Sequence, residues 1–413
     1  MAMHDAVLIV CGGLLQVPAV HIARELGLKV IVTDGSADAP AMKLADEPVI
    51  LDIYDVPGHC ELVKSLAQRY NLRGIFTEGA DVEVTVAAAA EAAGLPGIRV
   101  EAARNTKNKV LTRGCFDRAG IPNPRWAEVR DDLESRQAAE RIGFPLMVKA
   151  VDNCASRGTT RVGDPQKLLP AVKLARRHST TGTALLESCF VGDEQSVEIL
   201  FDQEGRCHRL NIVDRPFQAE GDFAIELGHV NPTRLSVDDQ SQLFDLTESA
   251  ARATDVDFGA FKADTIWTAE GPRILEVTAR LSGGFDCQYT TPLATGRNFI
   301  RAAMRLAVGM EIDPMDLESR WQRHAAAWVA FPEPGRIEKI SGVEEALRLP
   351  GVHHVFLRSK AGDLIEPYRD CAARPAFVIA VGVTPEEAIA RAKAGVKALK
   401  FETTPAQEVS NPV

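Results

Sequence analysis

Residues 274–284, ILEVTARLSGG, carry Glu276, Thr278 and Arg280 at alternate positions. In an extended strand alternate residues point the same way, so this spacing predicts three polar side chains on one face. Upstream, FKADTIWT (261–268) alternates in hydropathy, and AEG between the two runs predicts a three-residue hairpin loop ending at Gly271. A hairpin centred on Glu270 sets Asp264 opposite Glu276. Facing carboxylates repel. A hard divalent cation, Mg²⁺ or Mn²⁺, held by one or two carboxylates and completed by substrate phosphates, turns that repulsion into attraction. Arg280 on the same face then suits bidentate binding of an acyl oxygen or a phosphate. The same letters also fit a water-exposed strand with screened charges, at a cost under ~1 kcal/mol, in which Leu275, Val277 and Ala279 claim the other face for a core.

Phosphate binding needs positive charge and directional donors. No GxxxxGK[ST] occurs, which excludes a P-loop. Instead the chain offers Lys109 on a helix, Lys149 at the end of a strand, and a polar loop containing Ser156, Arg157 and Gly158. Gly158 frees backbone amides to turn toward an anion, Ser156 adds a hydroxyl donor, and the loop can close as a lid. Singly, such lysines fit snorkelling surface residues. In LLESCFVGDEQSVEI (185–199) a strand ends at Glu187 and re-enters at Glu194. That hinge can offer the Glu187 carbonyl and the Phe190 amide to an adenine edge and Glu194 to ribose hydroxyls; a solvated hairpin connection fits it equally. Gly283 and Gly284 let backbone amides approach a reacting group, or simply turn the strand end.

These residues require elements to hold them. Strand-like runs at 6–11, 29–33, 49–52 and 74–77 alternate with helical patterns, predicting a parallel, doubly wound sheet. The glycines after the first run read CGGLLQ rather than GxGxxG, so Asp34 alone supports a dinucleotide site, against a structural half-Rossmann unit. A helix follows over NKVLTRGCFDRAG, then strands at 145–150, 183–188 and 193–202, and an excursion to residue 235 that leaves Glu226 and His229 on a loop before one long helix. Strands and a final helix at 385–400 make up the segment from about 325.

The 413 residues suit two to four domains, and 46% apolar with 25% charged residues is the composition of a folded globular chain. A net charge of −10 argues against nucleic acid and anionic membrane partners. Eight cysteines without metal-ligand spacing read as free thiols of a reducing compartment. The N-terminal stretch lacks a basic segment and a long apolar run, and no apolar stretch reaches the ~20 residues of a membrane helix. A cytoplasmic protein is expected.

The order Lys109, Lys149, the SRG loop, the ExxxxGxE hinge, then an acid and ExxxR on a terminal hairpin resembles the ATP-grasp superfamily. VGDEQSVEI and IELGHVNPTRL are similar to its carboxylate–amine ligase branch, which includes bacterial L-amino-acid ligases. The resemblance implies an α/β chain with a half-Rossmann pre-ATP-grasp domain over 1–105 and an ATP-grasp domain over 106–320. Within the latter it implies a lid subdomain at about 115–186, a hinge at 187–194 and a catalytic sheet to 320; an α+β C-terminal domain follows over 321–413.

The implied chemistry is phosphorylation of a small carboxylate, an amino acid, by ATP, then attack of an amine on the acyl phosphate. Lys109, Lys149 and the Ser156–Arg157–Gly158 loop would hold ATP phosphates, Glu187 and Phe190 the adenine, and Glu194 the ribose. Asp264, Glu276 and Thr278 would hold Mg²⁺. Arg280 would stabilise the tetrahedral intermediate, with Glu226 and His229 at substrate or γ-phosphate. Family practice implies a homodimer. The family carries Asn where Thr278 stands, so a raised magnesium requirement is expected. A bicarbonate-using carboxylase, a non-catalytic ATP-binding protein and an NAD-linked oxidoreductase are the competing readings.

Overall fold

Strand Asp5–Val10 is apolar on both faces because both are covered. Val7 and Ile9 enter one core with helix Val17–Glu25, while Ala6, Leu8 and Val10 enter another with helices Val56–Leu66 and Glu83–Ala93. It pairs in parallel with Lys29–Asp34 and Asn71–Phe76, and Glu47–Ile50 completes the order 3-2-1-4. This is the expected doubly wound half-Rossmann sheet. The computed structural model describes residues 3–218 and 221–405, and contacts divide the chain into two units.

The first unit comprises Met1–Trp126, Phe190–Val213 and Leu235–Trp321. Beyond the parallel sheet it holds antiparallel strands in the order Gly271–Thr278, Gly259–Thr268, Asp193–Phe201, Cys207–Arg215. Helices Lys109–Ala119 and Val237–Ala253 pack Phe116, Ala250 and Ala251 against Ile199, Phe261, Ala263, Ile274 and Val277. Asn108 caps the first of these helices, its side chain accepting from the Val110 and Leu111 amides, and left-handed Gly120 ends it.

The hairpin register is the expected one, with Asp264 opposite Glu276. Its loop is shorter than expected: Thr268 pairs with Gly271, leaving only Ala269 and Glu270 between the strands. A bulge follows, since Thr265 pairs with Ile274 and Leu275 is skipped. The bulge reassigns the core face, burying Ile274 and Val277 while Leu275 stays half-buried. Strict alternation had given that face to Leu275, Val277 and Ala279. The excursion to residue 235 is also structured, as strands Cys207–Arg215 and Gly228–Asn231, the second of which carries His229.

The second unit comprises Ala127–Cys189, Asp214–Arg234 and Gln322–Val413. One sheet orders Trp126–Val129, Ala184–Ser188, Leu146–Ala150 and Thr160–Val162, backed by helices Asp132–Ile142 and Leu168–Arg177. A second runs Gly228–Asn231, His324–Ala330, Ala376–Gly382, Val352–Leu357, with helix Pro385–Ala398 packed on it through Ala388 and Ala392. A third, small sheet is built from Leu364–Ile365, Gly335–Ser341 and Lys400–Thr404. No helix among the described residues is long and apolar enough to cross a membrane.

Candidate active site

In the first unit two of the three predicted metal residues, Asp264 and Glu276, are paired across strands. Asp264 and Glu276 face each other across the ladder, and each is also met by an ammonium. Lys262 Nζ lies 2.6 Å from Asp264 Oδ1, and Lys109 Nζ lies 2.7 Å from Glu276 Oε1. The acid pair is therefore held with two lysines, one of which, Lys262, sequence reasoning passed over. Lys109 is buried on the first turn of its helix.

Among the described residues no group of three His, Cys, Asp or Glu side chains could enclose a metal. Two facing carboxylates nonetheless match the kind of donor Mg²⁺ takes from protein when phosphates complete its shell. The donor chemistry fits.

Thr278 ends the strand and is buried, its hydroxyl 3.4 Å from Glu83 Oε1. Burial and neighbouring Asp81 push the Glu83 acid up, against the opposing pull of Lys107 and Arg280. Arg280 lies just past the strand, its Nε donating to Asp81 Oδ1 at 3.1 Å and its Nη1 to the Leu281 carbonyl at 2.9 Å. Asp81 and Glu83 come from ADVE (80–83), after the last parallel strand. The C-terminal ends of such strands are where doubly wound sheets place ligands, and that was the signal available for them in the sequence.

Ser282 donates its amide to Glu198 Oε1 at 2.7 Å, and burial, with Asp286 nearby, pushes the Glu198 acid up to about 8. Gly283 is closely approached, since a Cβ there would stand 3.2 Å from the Gly79 carbonyl oxygen. Gly284 takes φ 69°. Phe190 and Glu194 are both half-buried, and a Cβ on Gly192 between them would fall 1.9 Å from the Trp267 carbonyl oxygen.

In the second unit Lys149 and Glu187 lie on paired strands, one diagonal step apart, and join in a buried ion pair of 2.6 Å. The loop behind Lys149 is a docked element as well as a polar one. Ala155 and Ser156 both have positive φ, the Cys371 amide donates to the Ala155 carbonyl at 2.9 Å, and Ser156 Oγ lies 3.8 Å from Cys371 Sγ. Gly158, expected to free the loop, instead packs against helix Leu168–Arg177; a Cβ there would meet Ala175 Cα at 3.3 Å. Arg157 donates to Asn153 Oδ1 at 2.9 Å.

Glu226 and His229 are both buried, His229 within its strand and not on a loop. Glu226 accepts from Arg215 Nε at 3.0 Å and from Arg374 Nη1 at 2.8 Å. Burial would raise its acid, but the two guanidiniums outweigh that and hold it well below the usual carboxylate range. Neither arginine was singled out from the sequence: Arg374 lies in a segment far from Glu226, and Arg215 stands on the preceding strand, which was not expected.

Family models match three stretches of this chain: an ATP-grasp N-terminal domain over residues 20–97, an ATP-grasp domain over 142–288, and an L-amino acid ligase C-terminal domain 2 over 327–404. The fold is ATP-grasp.

Within solved ATP-grasp structures, an L-amino acid ligase from Bacillus licheniformis superposes with a TM-score of 0.83 at 24% identity, covering 98% of this chain and all of that one (100%). An N5-carboxyaminoimidazole ribonucleotide synthetase from Thermotoga maritima gives 0.75 at 19%, covering 97% and 100%. Among curated relatives, the y4rH protein of Sinorhizobium fredii is 24% identical over 345 residues, 82% of this chain and 70% of that protein. A D-alanine–D-alanine ligase of Pseudomonas fluorescens is 29% identical over 189 residues, 44% of this chain and 56% of the relative.

Proposed function

We propose that this chain is an ATP-dependent ligase that phosphorylates the carboxylate of a small molecule, an amino acid, and couples the acyl phosphate to an amine, with release of ADP and phosphate. The observation that carries this reading is the Asp264–Glu276 pair, opposed on one ladder and each held by a lysine ammonium. Two carboxylates kept at that spacing among cations form a seat for Mg²⁺. The L-amino acid ligase C-terminal family match supports the choice of an amine as nucleophile.

In this reading 1–105, 106–320 and 321–413 are the working domains. Asp264, Glu276 and Thr278 would hold Mg²⁺, and the ion would supply charge neutralisation for the ATP phosphates. Lys109 and Lys149 exchange their carboxylate partners for phosphate oxygens, and the Ser156–Gly158 loop adds directional donors. Glu187 and Phe190 present backbone to adenine, and Glu194 binds ribose. Arg280, oriented by Asp81, carries the developing negative charge of the tetrahedral intermediate, a role whose loss typically costs ~3 kcal/mol of barrier. Gly283 and Gly284 let amides approach the acyl phosphate. Glu226 and His229 contact substrate. The protein works as a cytoplasmic homodimer.

The test is ADP release over a panel of small carboxylates, alone and with amines or hydroxylamine. The reading requires ADP and an acyl amide or hydroxamate in equal amounts. ADP formation driven by bicarbonate alone, or nucleotide binding without turnover across the panel, would overturn it.

A further inference from the structure

The skipped Leu275 decides which face of the hairpin Glu276 occupies. Outward from the turn, Thr268 pairs with Gly271, Trp267 with Pro272, Ile266 with Arg273 and Thr265 with Ile274. Continued without a break, that register sets Asp264 against Leu275 and Glu276 against Ala263. A one-residue slip turns every side chain to the other face, so Glu276 would then point with Ala263 into the core of Phe116, Ile274 and Val277. The bulge restores the Asp264–Glu276 pairing.

A bulge leaves main-chain groups without ladder partners, and here one side chain collects them. Arg113 Nη1 donates to the Ile274 carbonyl at 3.1 Å, and Arg113 Nη2 donates to the Leu275 carbonyl at 2.8 Å. Consecutive carbonyls of a regular strand point to opposite edges. One guanidinium therefore takes both only where the chain is bulged. Arg113 is buried, and Asn123 secures it: Asn123 Oδ1 accepts from Arg113 Nη1 at 3.3 Å, and Asn123 Nδ2 donates to the Arg113 carbonyl at 2.9 Å. Arg113 follows Lys109 by one turn on helix Lys109–Ala119. Residues so spaced share a helix face. That face reaches Glu276 through Lys109 and the bulge just before it through Arg113.

We propose that Arg113 is a positioning residue of the cation seat: by gripping the bulge it selects the register in which Glu276 faces Asp264. This rests on the reading above, in which those two acids hold Mg²⁺. A lysine in its place could reach one of the two carbonyls, whereas the planar fork spans both.

Mn²⁺ titration of the full-length, nucleotide-free protein, followed by electron paramagnetic resonance, tests this, with thermal unfolding measured alongside. Arg113→Met should weaken Mn²⁺ binding at least about tenfold, and Arg113→Lys, which keeps the charge and loses the fork, by less. Phe116→Leu loosens the same core without touching the bulge. It should lower the unfolding temperature and leave Mn²⁺ affinity as it is. The deciding variant lacks Leu275. Its hairpin is regular, Asp264 still meets Glu276, and Ile274 and Val277 keep the core face, so the seat needs no clamp. Adding Arg113→Met to that variant should change Mn²⁺ affinity by less than about twofold. If Arg113→Met does not fold, Arg113→Lys takes its place in both backgrounds.

Unchanged Mn²⁺ affinity in both Arg113 variants overturns the inference. So does an equal loss with and without Leu275, which makes Arg113 an ordinary support of the fold, and so does loss of the seat on deleting Leu275 alone. A wild type that binds Mn²⁺ no better than Asp264→Asn overturns the cation reading itself, and this inference with it.

Discussion

Replacing Lys109 with Met separates two roles that one ammonium fills. Lys109 Nζ stands 2.7 Å from Glu276 Oε1, a gross attraction of about 6 kcal/mol at an effective dielectric near 20. Glu276 keeps 38% of its side chain in water, so screening and desolvation reduce the net interaction to ~1–1.5 kcal/mol. A cation entering the Asp264–Glu276 pair of the nucleotide-free protein must displace that ammonium. Lys109→Met keeps the buried stem apolar and removes the competitor at Glu276, leaving Lys262 on Asp264, so Mn²⁺ binding without nucleotide should tighten about tenfold, the equivalent of ~1.4 kcal/mol. The same substitution removes a phosphate contact and should weaken MgATP binding. Mn²⁺ titration followed by electron paramagnetic resonance measures the first effect and calorimetry with a non-hydrolysable ATP analogue the second. Mn²⁺ affinity that is unchanged or lower in Lys109→Met would refute the placement of the cation between these acids.

Three further outcomes follow from the geometry. Glu226→Leu leaves two buried guanidiniums without their shared carboxylate, and breaking such a pair costs ~3–5 kcal/mol; thermal unfolding should fall by about 3–6 °C, and a fall under about 1 °C would remove the network from the stability account. Thr278→Asn supplies an amide oxygen where the hydroxyl stands, so half-maximal turnover should need several-fold less free Mg²⁺ than in wild type, read from a magnesium titration at fixed ATP. Glu198, buried with its acid raised to about 8, holds its proton in the folded state at pH values where the unfolded chain has lost it. The sign is then fixed: its contribution to stability is greatest below the ordinary glutamate pKa of ~4.3 and falls as pH rises toward 8. Glu198→Gln should flatten that slope, which parallel urea titrations at pH 5 and pH 8 measure.

The parts of the fold that repeat locally were legible in the chain. The short runs AVLIVC, KVIVT and GIFT, separated by helical patterns, gave a parallel, doubly wound sheet. The Asp264–Glu276 opposition was read from a three-residue loop, and it holds because the bulge at Leu275 offsets a turn one residue shorter than that. The skipped Leu275 was not legible, because a bulge depends on what the partner strand accepts. The strand Cys207–Arg215 escaped because CHRLNIVDR is polar at both ends and apolar in the middle. Among the site residues, types announced roles but not partners. Lys149 and Glu187 were both named, yet their ion pair depends on two strands being neighbours, which nothing in either segment states. Arg215 and Arg374 reach Glu226 from separate segments, and Asp81 meets Arg280 only once the first parallel sheet is packed.

The central claim, transfer of the γ-phosphoryl group to a substrate carboxylate on the protein, is tested most directly with that carboxylate labelled with ¹⁸O. The account predicts that one ¹⁸O per turnover appears in the inorganic phosphate, because the carboxylate oxygen that attacks phosphorus leaves with it. ADP and coupled product forming while the phosphate stays unlabelled would contradict the acyl phosphate, and with it the roles of Asp264, Glu276 and Arg280 in forming and resolving it.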